Sequence, residues 1–339
     1  MDTNEAEVLH KDLLAEYWDR IADLERSLKK KTCIAADRRD CKGKIIAAHT
    51  IPRSQLSHIA IDGHVTAFLF KDGRTDAKDR GVRDFSVLNC FCQHHDSSIF
   101  APVERPALVF DDQQLTLLHY RAVGAEMYKK SGQVESFRSH IQHYTRKQKD
   151  VAKRTFFENH LRIGEVGLRD LELSFSQISK DVDSGNHSNV SALIIEFENR
   201  PTMMTVGAFS PAWDFNLKPL QSISDFSTPL QDVSLSVLQS NSRSHAAIVW
   251  PKSSTIGHQF ASSLLDQPRE RISTLLIKLS FNLIENTCLN KNWWATLKGA
   301  QQHVLKMWML PEDQNAGMYA FSGVSFDDWV YTNHHFVNV

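Results

Sequence analysis

Two short segments of the sequence carry cysteine and histidine side chains that are able to bind a metal ion. Cys33 and Cys41 have seven residues between them, whereas Cys92 and His95 have two. A structural zinc site needs four such ligands in a tetrahedron, and proteins commonly supply them as two close pairs. The pattern therefore predicts a structural Zn²⁺ ion bound by these four side chains.

Two neighbouring side chains, Cys90 and His94, compete for the same ligand positions. Any one of these cysteines, taken alone, is more typical of a small buried apolar residue. The chain has five cysteines, four of them before residue 93, and its acidic N-terminus has no apolar leader segment. This usage favours metal binding or free thiols over disulfides, and it predicts a reducing, cytoplasmic location.

A histidine that could act in phosphodiester hydrolysis follows an apolar strand predicted at residues 44–48. A lone histidine in such a place is more often partly buried and hydrogen-bonded, but a neutral His49 could take a proton from an attacking water. Pro52 would fix the turn that follows, and Arg53 could bind a phosphate with two N–H groups. Asp96, in the first turn of a predicted helix, could offer an oxygen ligand to Mg²⁺ or Mn²⁺.

These segments resemble the HNH branch of the ββα-metal endonucleases. In that family a strand ends in a histidine that is followed by a hydrophobic residue and proline, as in His49-Thr-Ile-Pro52. A later Cys-x-x-Cys/His pair opens a helix whose next residue binds a metal, as in Cys92-x-x-His95-Asp96. The resemblance implies that His49 is the general base and that Asp96, or else His95, binds a catalytic Mg²⁺ or Mn²⁺. It also implies that the remaining cysteines hold a structural zinc.

The resemblance covers residues 33–105 and implies a metal-dependent endonuclease that acts on DNA, with RNA as a second choice. Such a module contacts mainly the nucleic-acid backbone, so we expect little sequence specificity from it. The whole chain also resembles bacterial proteins in which an HNH-like module precedes a larger α+β part, which suggests a role in antiviral defence against phage or foreign nucleic acid.

Three differences from the family keep other interpretations open, and one of them is that Asp96 stands where the family usually has a His. Ala48 stands where the family often has a metal-binding Asp, and the family's middle Asn has no clear counterpart, although His58 and His64 are near enough in sequence to substitute. The alternative function is therefore an inactive, zinc-stabilised scaffold that binds nucleic acid or protein. A third interpretation is a purely structural zinc module that dimerises the chain through its N-terminal helix.

The helices and strands expected around these residues indicate an α+β fold with four parts. We expect an amphipathic helix within residues 1–32, the HNH-like module at 33–105, a helical connector at 106–185, and a mixed α+β domain at 186–339. The last part has no recognisable catalytic motif, so we interpret it as a sensor, binding or oligomerisation domain. Protein partners or a second copy of the chain would bind through this domain or through the N-terminal helix.

Charge limits where a nucleic acid could bind. The 339 residues have a formal net charge of −1, so a nucleic-acid site must be a local patch. Residues 129–154 carry ten lysine, arginine and histidine side chains but only two acidic ones, which predicts either a phosphate-facing stripe or an ordinary solvated helix surface. No apolar run is long enough to span a bilayer, so no membrane partner is expected.

Finer elements are also predicted. In the module, a helical piece at 55–60, a strand at 65–70 and a charged loop at 71–83 precede the Cys/His segment. The C-terminal part is expected to form strands at 190–196, 203–209, 232–238 and 245–250, followed by helices at 268–283 and 292–310.

Overall fold

The computed structural model describes residues 31–71, 74–104, 107–146, 151–309, 324–326 and 329–339. The predicted N-terminal amphipathic helix therefore lies outside the described residues, apart from its last position. The chain has a mixed α+β architecture. Its strands are β1 (Ile45–His49), β2 (His64–Lys71), β3 (Arg74–Gly81), β4 (Val87–Cys92), β5 (Val190–Phe197), β6 (Met203–Phe209), β7 (Val233–Ser240), β8 (Arg243–Pro251), β9 (Thr287–Leu289) and β10 (Tyr331–Val337).

The helices vary widely in length. They are α1 (Arg53–Ile59), α2 (Gln93–Ile99), α3 (Ala101–Glu104), α4 (Asp112–Arg146), α5 (Val151–Ser184), α6 (Thr255–Leu265), α7 (Arg269–Leu283), α8 (Lys291–Thr296) and α9 (Gly299–Trp308). The two longest, α4 and α5, pack against each other along the helical connector. Within the described residues, no helix is both long enough and apolar enough to cross a membrane.

An eight-stranded antiparallel sheet forms the centre of the fold, with the strand order β10-β5-β8-β7-β6-β9-β2-β3. Its central strands are buried on both faces, because alternate side chains enter different cores. Ala192 and Ile194 pack in the core beside α4 and the N-terminal elements, whereas Leu193 and Ile195 pack in the core beside α6 and α7. Helices therefore cover both faces of the sheet.

A separate two-stranded sheet carries the candidate site. β1 and β4 pair antiparallel, with Ile45 opposite Cys92 and His49 opposite Val87, and β4 leads directly into α2. The chain between these two strands forms α1 and the β2–β3 hairpin. That hairpin leaves the small sheet and pairs with β9, so it extends the central sheet. Residues 33–105 and 186–339 therefore share one sheet.

Side chains strengthen the join between these two regions. The amide of Gln55 in α1 exchanges two hydrogen bonds with the backbone of Gln239 in β7, at 3.1 and 2.8 Å. Asn290, before α8, donates to the carbonyl of Ile59 at 2.8 Å. Backbone groups at the ends of both elements are thereby satisfied across the join.

Two of the expected elements differ in the structure, and helix α6 and strands β4, β9 and β10 were not among the expected elements. The charged segment predicted as a loop at 71–83 contains strand β3, which is held by its pairing with β2 along its whole length. The helix predicted at 292–310 is two helices, because the chain becomes extended at Leu297 and Lys298. The strands at the predicted positions 190–196, 203–209, 232–238 and 245–250, and the helix at 268–283, are present with small shifts at their ends.

Candidate metal centre and catalytic site

Four predicted ligands come together at the base of the small sheet. The Sγ atoms of Cys33, Cys41 and Cys92 and a ring nitrogen of His95 all lie within 4.8 Å of one another. The His95 Nδ1 atom is 3.2 Å from the sulfur of Cys33, 3.7 Å from that of Cys41 and 3.3 Å from that of Cys92. This group could hold a metal ion such as zinc.

The junction between β4 and α2 explains how Cys92 and His95 meet. Cys92 is the N-cap of α2, and its sulfur accepts a hydrogen bond from the backbone N–H of His95 at 3.5 Å. The capping geometry turns the Cys92 side chain back over the first helical turn, where a residue three positions later points to the same side. A Cys-x-x-His pair at a helix start therefore needs no distant contact to converge.

The other two ligands reach the cluster through backbone hydrogen bonds. The segment that holds Cys33 runs beside β4, because the N–H of Ile34 donates to the carbonyl of Cys90 at 2.9 Å. The loop after Cys41 is tied to the start of α2, where the N–H of Gln93 donates to the carbonyl of Lys44 at 2.9 Å. Gly43 makes this loop possible with a φ of 80°, and a Cβ there would lie 3.3 Å from the side chain of Gln93.

The distances in this cluster suit a tetrahedral ion. With Zn–S bonds of about 2.3 Å and Zn–N bonds of about 2.0 Å, the ligand atoms of such a site stand roughly 3.6 Å apart. The three measured sulfur–nitrogen distances bracket this value. Burial acts to raise the pKa of Cys92, but N–H groups of His95 and Lys42 donate to its sulfur and lower the pKa overall, which favours the thiolate that binds metal.

The two competitors do not join the cluster. Burial raises the pKa of Cys90 to about 12, so this residue stays a neutral thiol within the apolar core. His94, next to the ligand His95, is exposed to solvent. Cys33 and Cys41, the more widely spaced pair, thus complete the metal cluster. Cys90 and His94 do not, although they are nearer to Cys92 and His95 in sequence.

His49 lies at the end of β1, where the sequence predicted a strand end. Its ring is half-buried, and Nε2 is 2.9 Å from the backbone carbonyl of Val82. A carbonyl can only accept, so Nε2 carries the proton in the neutral ring and Nδ1 keeps its lone pair. The contact thus selects a tautomer that is able to accept a proton.

Asp96 lies one residue beyond the metal cluster, in the first turn of α2. Burial raises the pKa of its carboxyl group, the charges of Arg121 and His49 lower it, and that of Glu104 raises it. Burial has the largest effect, so the pKa of this carboxyl group is raised overall. This group also interacts with two residues that the sequence interpretation did not select.

Those two residues, Glu104 and Arg121, form an ion pair beside the site, in which Arg121 is buried and Glu104 is partly exposed. Nη2 of Arg121 is 2.7 Å from Oε1 of Glu104, and the guanidinium carbon lies 3.9 Å above the ring centre of Phe100. Asp96, Phe100 and Glu104 recur every four residues through α2 and α3, which is a signal for one shared helical face. Nothing in the local sequence indicates that Arg121, on α4, reaches this face.

The remaining predicted polar residues lie apart from the cluster. Arg53 is exposed in the first turn of α1, and no described residue forms an ion pair with it. His58 is exposed in the last turn of α1, and exposed His64 donates from Nδ1 to the carbonyl of Asp62. None of the three shares a ligand position with the four-residue cluster.

The basic stretch at 129–154 is partly neutralised by carboxylates. Lys129 contacts Glu126 at 2.8 Å and Glu285 at 3.5 Å. Arg138 contacts Glu135 and Glu165 at 2.6 and 2.7 Å, and Arg154 contacts Glu158 at 3.2 Å. These pairs favour the interpretation of this stretch as an ordinary solvated helix surface.

Comparison with known proteins gives no relative. No family model matches the sequence, and no curated protein or solved structure is similar to it.

Proposed function

We propose that the chain is a metal-dependent endonuclease of the HNH type, with a structural Zn²⁺ bound by Cys33, Cys41, Cys92 and His95. One observation carries the proposal. A strand that ends in His49 pairs with a strand that leads directly into the helix of Cys92, His95 and Asp96. This is the order and pairing that the HNH resemblance requires, with the metal cluster at the hinge between strand and helix.

His49 would act as the general base. With Nε2 held by the Val82 carbonyl, Nδ1 is the atom that takes a proton from the attacking water. Asp96 offers a carboxylate oxygen as a ligand, which suits Mg²⁺, because that ion usually binds through one or two carboxylates and keeps several waters. A bound Mg²⁺ or Mn²⁺ would stabilise the negative charge that develops on the phosphate and the leaving oxygen. Exposed Arg53 would contact a backbone phosphate of the substrate.

The decisive experiment is a cleavage assay with the zinc-loaded protein. Supercoiled plasmid, linear duplex, single-stranded DNA and RNA are each incubated with Mg²⁺ or Mn²⁺. We expect cleavage of DNA by the unaltered chain, and a loss of about 10²–10⁴-fold in His49→Ala, because that variant lacks the base. His64→Ala is the matched control, since it removes an exposed histidine whose ring hydrogen-bonds to the carbonyl of Asp62 in its own turn. Equal activity in His49→Ala would exclude this residue as the base.

A second candidate function is a zinc-stabilised scaffold that binds nucleic acid or protein without cutting. Two observations favour it: Ala48 offers no ligand, and no second group of three metal-binding side chains is found among the described residues. Binding of a labelled duplex in the absence of any cleavage, with His49→Ala binding equally well, would support the scaffold over the enzyme.

A role in defence is a further part of the nuclease proposal. Protection of cells against phage infection that is lost in the His49→Ala variant would support this role.

A further inference from the structure

Arg121 has an environment that the ion pair with Glu104 alone does not explain. Its side chain is only 3% exposed, yet Nε and Nη1 have no hydrogen-bond partner among the described residues. Nη2 is close to Glu104, but the contact lacks hydrogen-bond geometry. Buried charged donors without acceptors are costly, and such groups in folded proteins commonly serve a purpose beyond stability.

The position of the guanidinium indicates which acceptor is missing. It lies over Phe100, the middle residue of the face formed by Asp96, Phe100 and Glu104. The backbone N–H of Phe100 donates to the carbonyl of Asp96, and that of Glu104 to the carbonyl of Phe100, so the two carboxylates lie one turn on either side of the ring. Glu104 holds one end of the guanidinium. Asp96 lies one helical turn from Phe100 on the side opposite Glu104, and no described residue accepts a hydrogen bond from the donors that remain, Nε and Nη1.

We propose that Arg121 is a positioning residue, which donates to the outer oxygen of Asp96 when the other oxygen of that carboxylate binds the divalent cation. Carboxylates that bind metals are themselves usually hydrogen-bonded by a second layer of residues, and loss of such a partner typically weakens metal binding 10- to 100-fold. Glu104 holds the guanidinium by its contact with Nη2, and the ring of Phe100 packs against the face of the guanidinium. The inference rests on the proposed function of Asp96 as a cation ligand.

The test is Mn²⁺ binding to the full-length, zinc-loaded chain, measured by electron paramagnetic resonance without any nucleic acid. We expect Asp96→Asn to weaken Mn²⁺ binding at least about tenfold, because a charged oxygen ligand is lost. Arg121→Met should weaken it by about tenfold, and Arg121→Lys, which keeps one charged donor, should recover part of the loss. Arg138→Met is the matched control, since this arginine on the same helix pairs with Glu135 and Glu165 away from Asp96.

The double variant Asp96→Asn/Arg121→Met separates positioning from general support of the fold. If Arg121 acts through Asp96, the double variant binds Mn²⁺ no more weakly than Asp96→Asn alone. Losses that simply multiply would overturn the proposal, because a structural role does not depend on Asp96. Unchanged binding in Arg121→Met beside a large loss in Asp96→Asn would overturn it while the proposed function stands. No effect of Asp96→Asn would remove Asp96 from the cation site, and both proposals would fall together.

Discussion

At the scale of single residues, Cys92 has two roles that coincide in one atom. Its sulfur belongs to the metal cluster and also caps α2 by accepting the N–H of His95. Cys41 contributes only to the cluster and is exposed, whereas Cys92 is buried. The two cysteines should therefore differ in what their loss does to the protein.

We expect Cys92→Ser to lose bound zinc and to unfold at lower temperature than Cys41→Ser. The first variant loses a buried ligand, although its serine can still cap α2, whereas the second loses an exposed ligand whose place a water molecule can take. Zinc content by mass spectrometry and thermal melting measure the two effects. Cys90→Ala is the control, because this buried thiol lies outside the cluster and its loss should leave one zinc ion per chain. Full zinc content in Cys92→Ser would contradict the proposed ligand set.

The residues of the site were predictable to the degree that their contacts are local. Cys92 and His95 converge through a single helix turn, so their spacing alone indicates a ligand pair. Cys33 and Cys41 need the backbone bonds that lay their loop against β4 and α2, and only their residue types pointed to them. Arg121 reaches the site from α4, the element that follows α3, and its contact with Phe100 depends on how α4 packs against α2 and α3.

At the scale of elements, α4 and α5 approach each other closely beside the site. Gly124 of α4 faces Phe175 of α5, and a Cβ at this glycine would lie 2.8 Å from the ring of Phe175 and 3.1 Å from Ile34. Ile34 follows the metal ligand Cys33, so this contact also connects the helix pair to the metal cluster. Gly132, further along the same helix, has no atom near the position of an added Cβ.

This difference predicts opposite effects of one substitution in the same helix. Gly132→Ala should stabilise the chain by about 0.5–1 kcal/mol, because alanine favours the helix and the site has room. Gly124→Ala should instead destabilise the chain by about 1–2 kcal/mol. Moving the ring of Phe175 away from the new methyl group costs more free energy than the higher helix propensity of alanine contributes. Urea denaturation midpoints measure both. A stabilised Gly124→Ala variant would show that α5 can move away at little cost.

Another contact joins α4 to the central sheet through a buried histidine. His119 is only 2% exposed, and its Nδ1 atom is 2.9 Å from Oγ of Ser234 in β7. Burial lowers the pKa of His119 to about 4 from an ordinary value of 6.5. The folded chain therefore favours the neutral form of the His119 ring.

This burial predicts a loss of stability in acid. The pKa of His119 is lower in the folded than in the unfolded chain, so its contribution is complete above pH 6.5 and is lost as the pH falls towards 4. The loss amounts to about 3 kcal/mol at pH 4. The difference in unfolding free energy between the unaltered chain and His119→Asn, which keeps an amide near Ser234 but does not titrate, should change by this amount between pH 7 and pH 4. A constant difference would contradict the assigned pKa.

The elements themselves were predictable where burial sets their pattern. β-Branched or alternating residues between turn-forming clusters predicted β5 to β8, and these strands are covered on both faces. The charged β3 strand has no apolar pattern, because it lies at the edge of the sheet and is held by backbone pairing with β2. The break between α8 and α9 has a local contact instead, because the backbone N–H of Lys298 donates to the side chain of Gln301 at the start of α9 at 2.9 Å.

At the scale of the whole molecule, the central sheet combines the N-terminal and C-terminal regions. The β2–β3 hairpin belongs to the region of the candidate site, yet it pairs with β9. The core on this side of the sheet contains Leu56 and Val65 together with Val206 and Val249. A unit limited to residues 33–105 would leave these surfaces exposed.

We therefore expect a fragment of residues 31–105 to remain without cooperative tertiary structure even when zinc is added. Zinc binding can order a small module, but here the apolar faces of α1 and β2 need partners from later in the chain. Circular dichroism melting of the zinc-loaded fragment, beside the full chain, measures this. A sharp, zinc-dependent melting transition in the fragment would show that the module folds alone.

The pairing of Ala67 with Cys288 also has a consequence for how the chain is made. Some two hundred residues separate β2 from its neighbour β9, and a ribosome that adds about 5–20 residues per second needs roughly 10–40 seconds to supply them. During that interval β2 presents an apolar strand edge to the surrounding cell. The Cys/His cluster is complete once residue 95 has emerged, long before β9 is available. Early capture of zinc would then hold together the segments that carry these four ligands, although the rest of the N-terminal region still waits for its later partners, so zinc starvation should reduce the yield of correctly folded chains during synthesis.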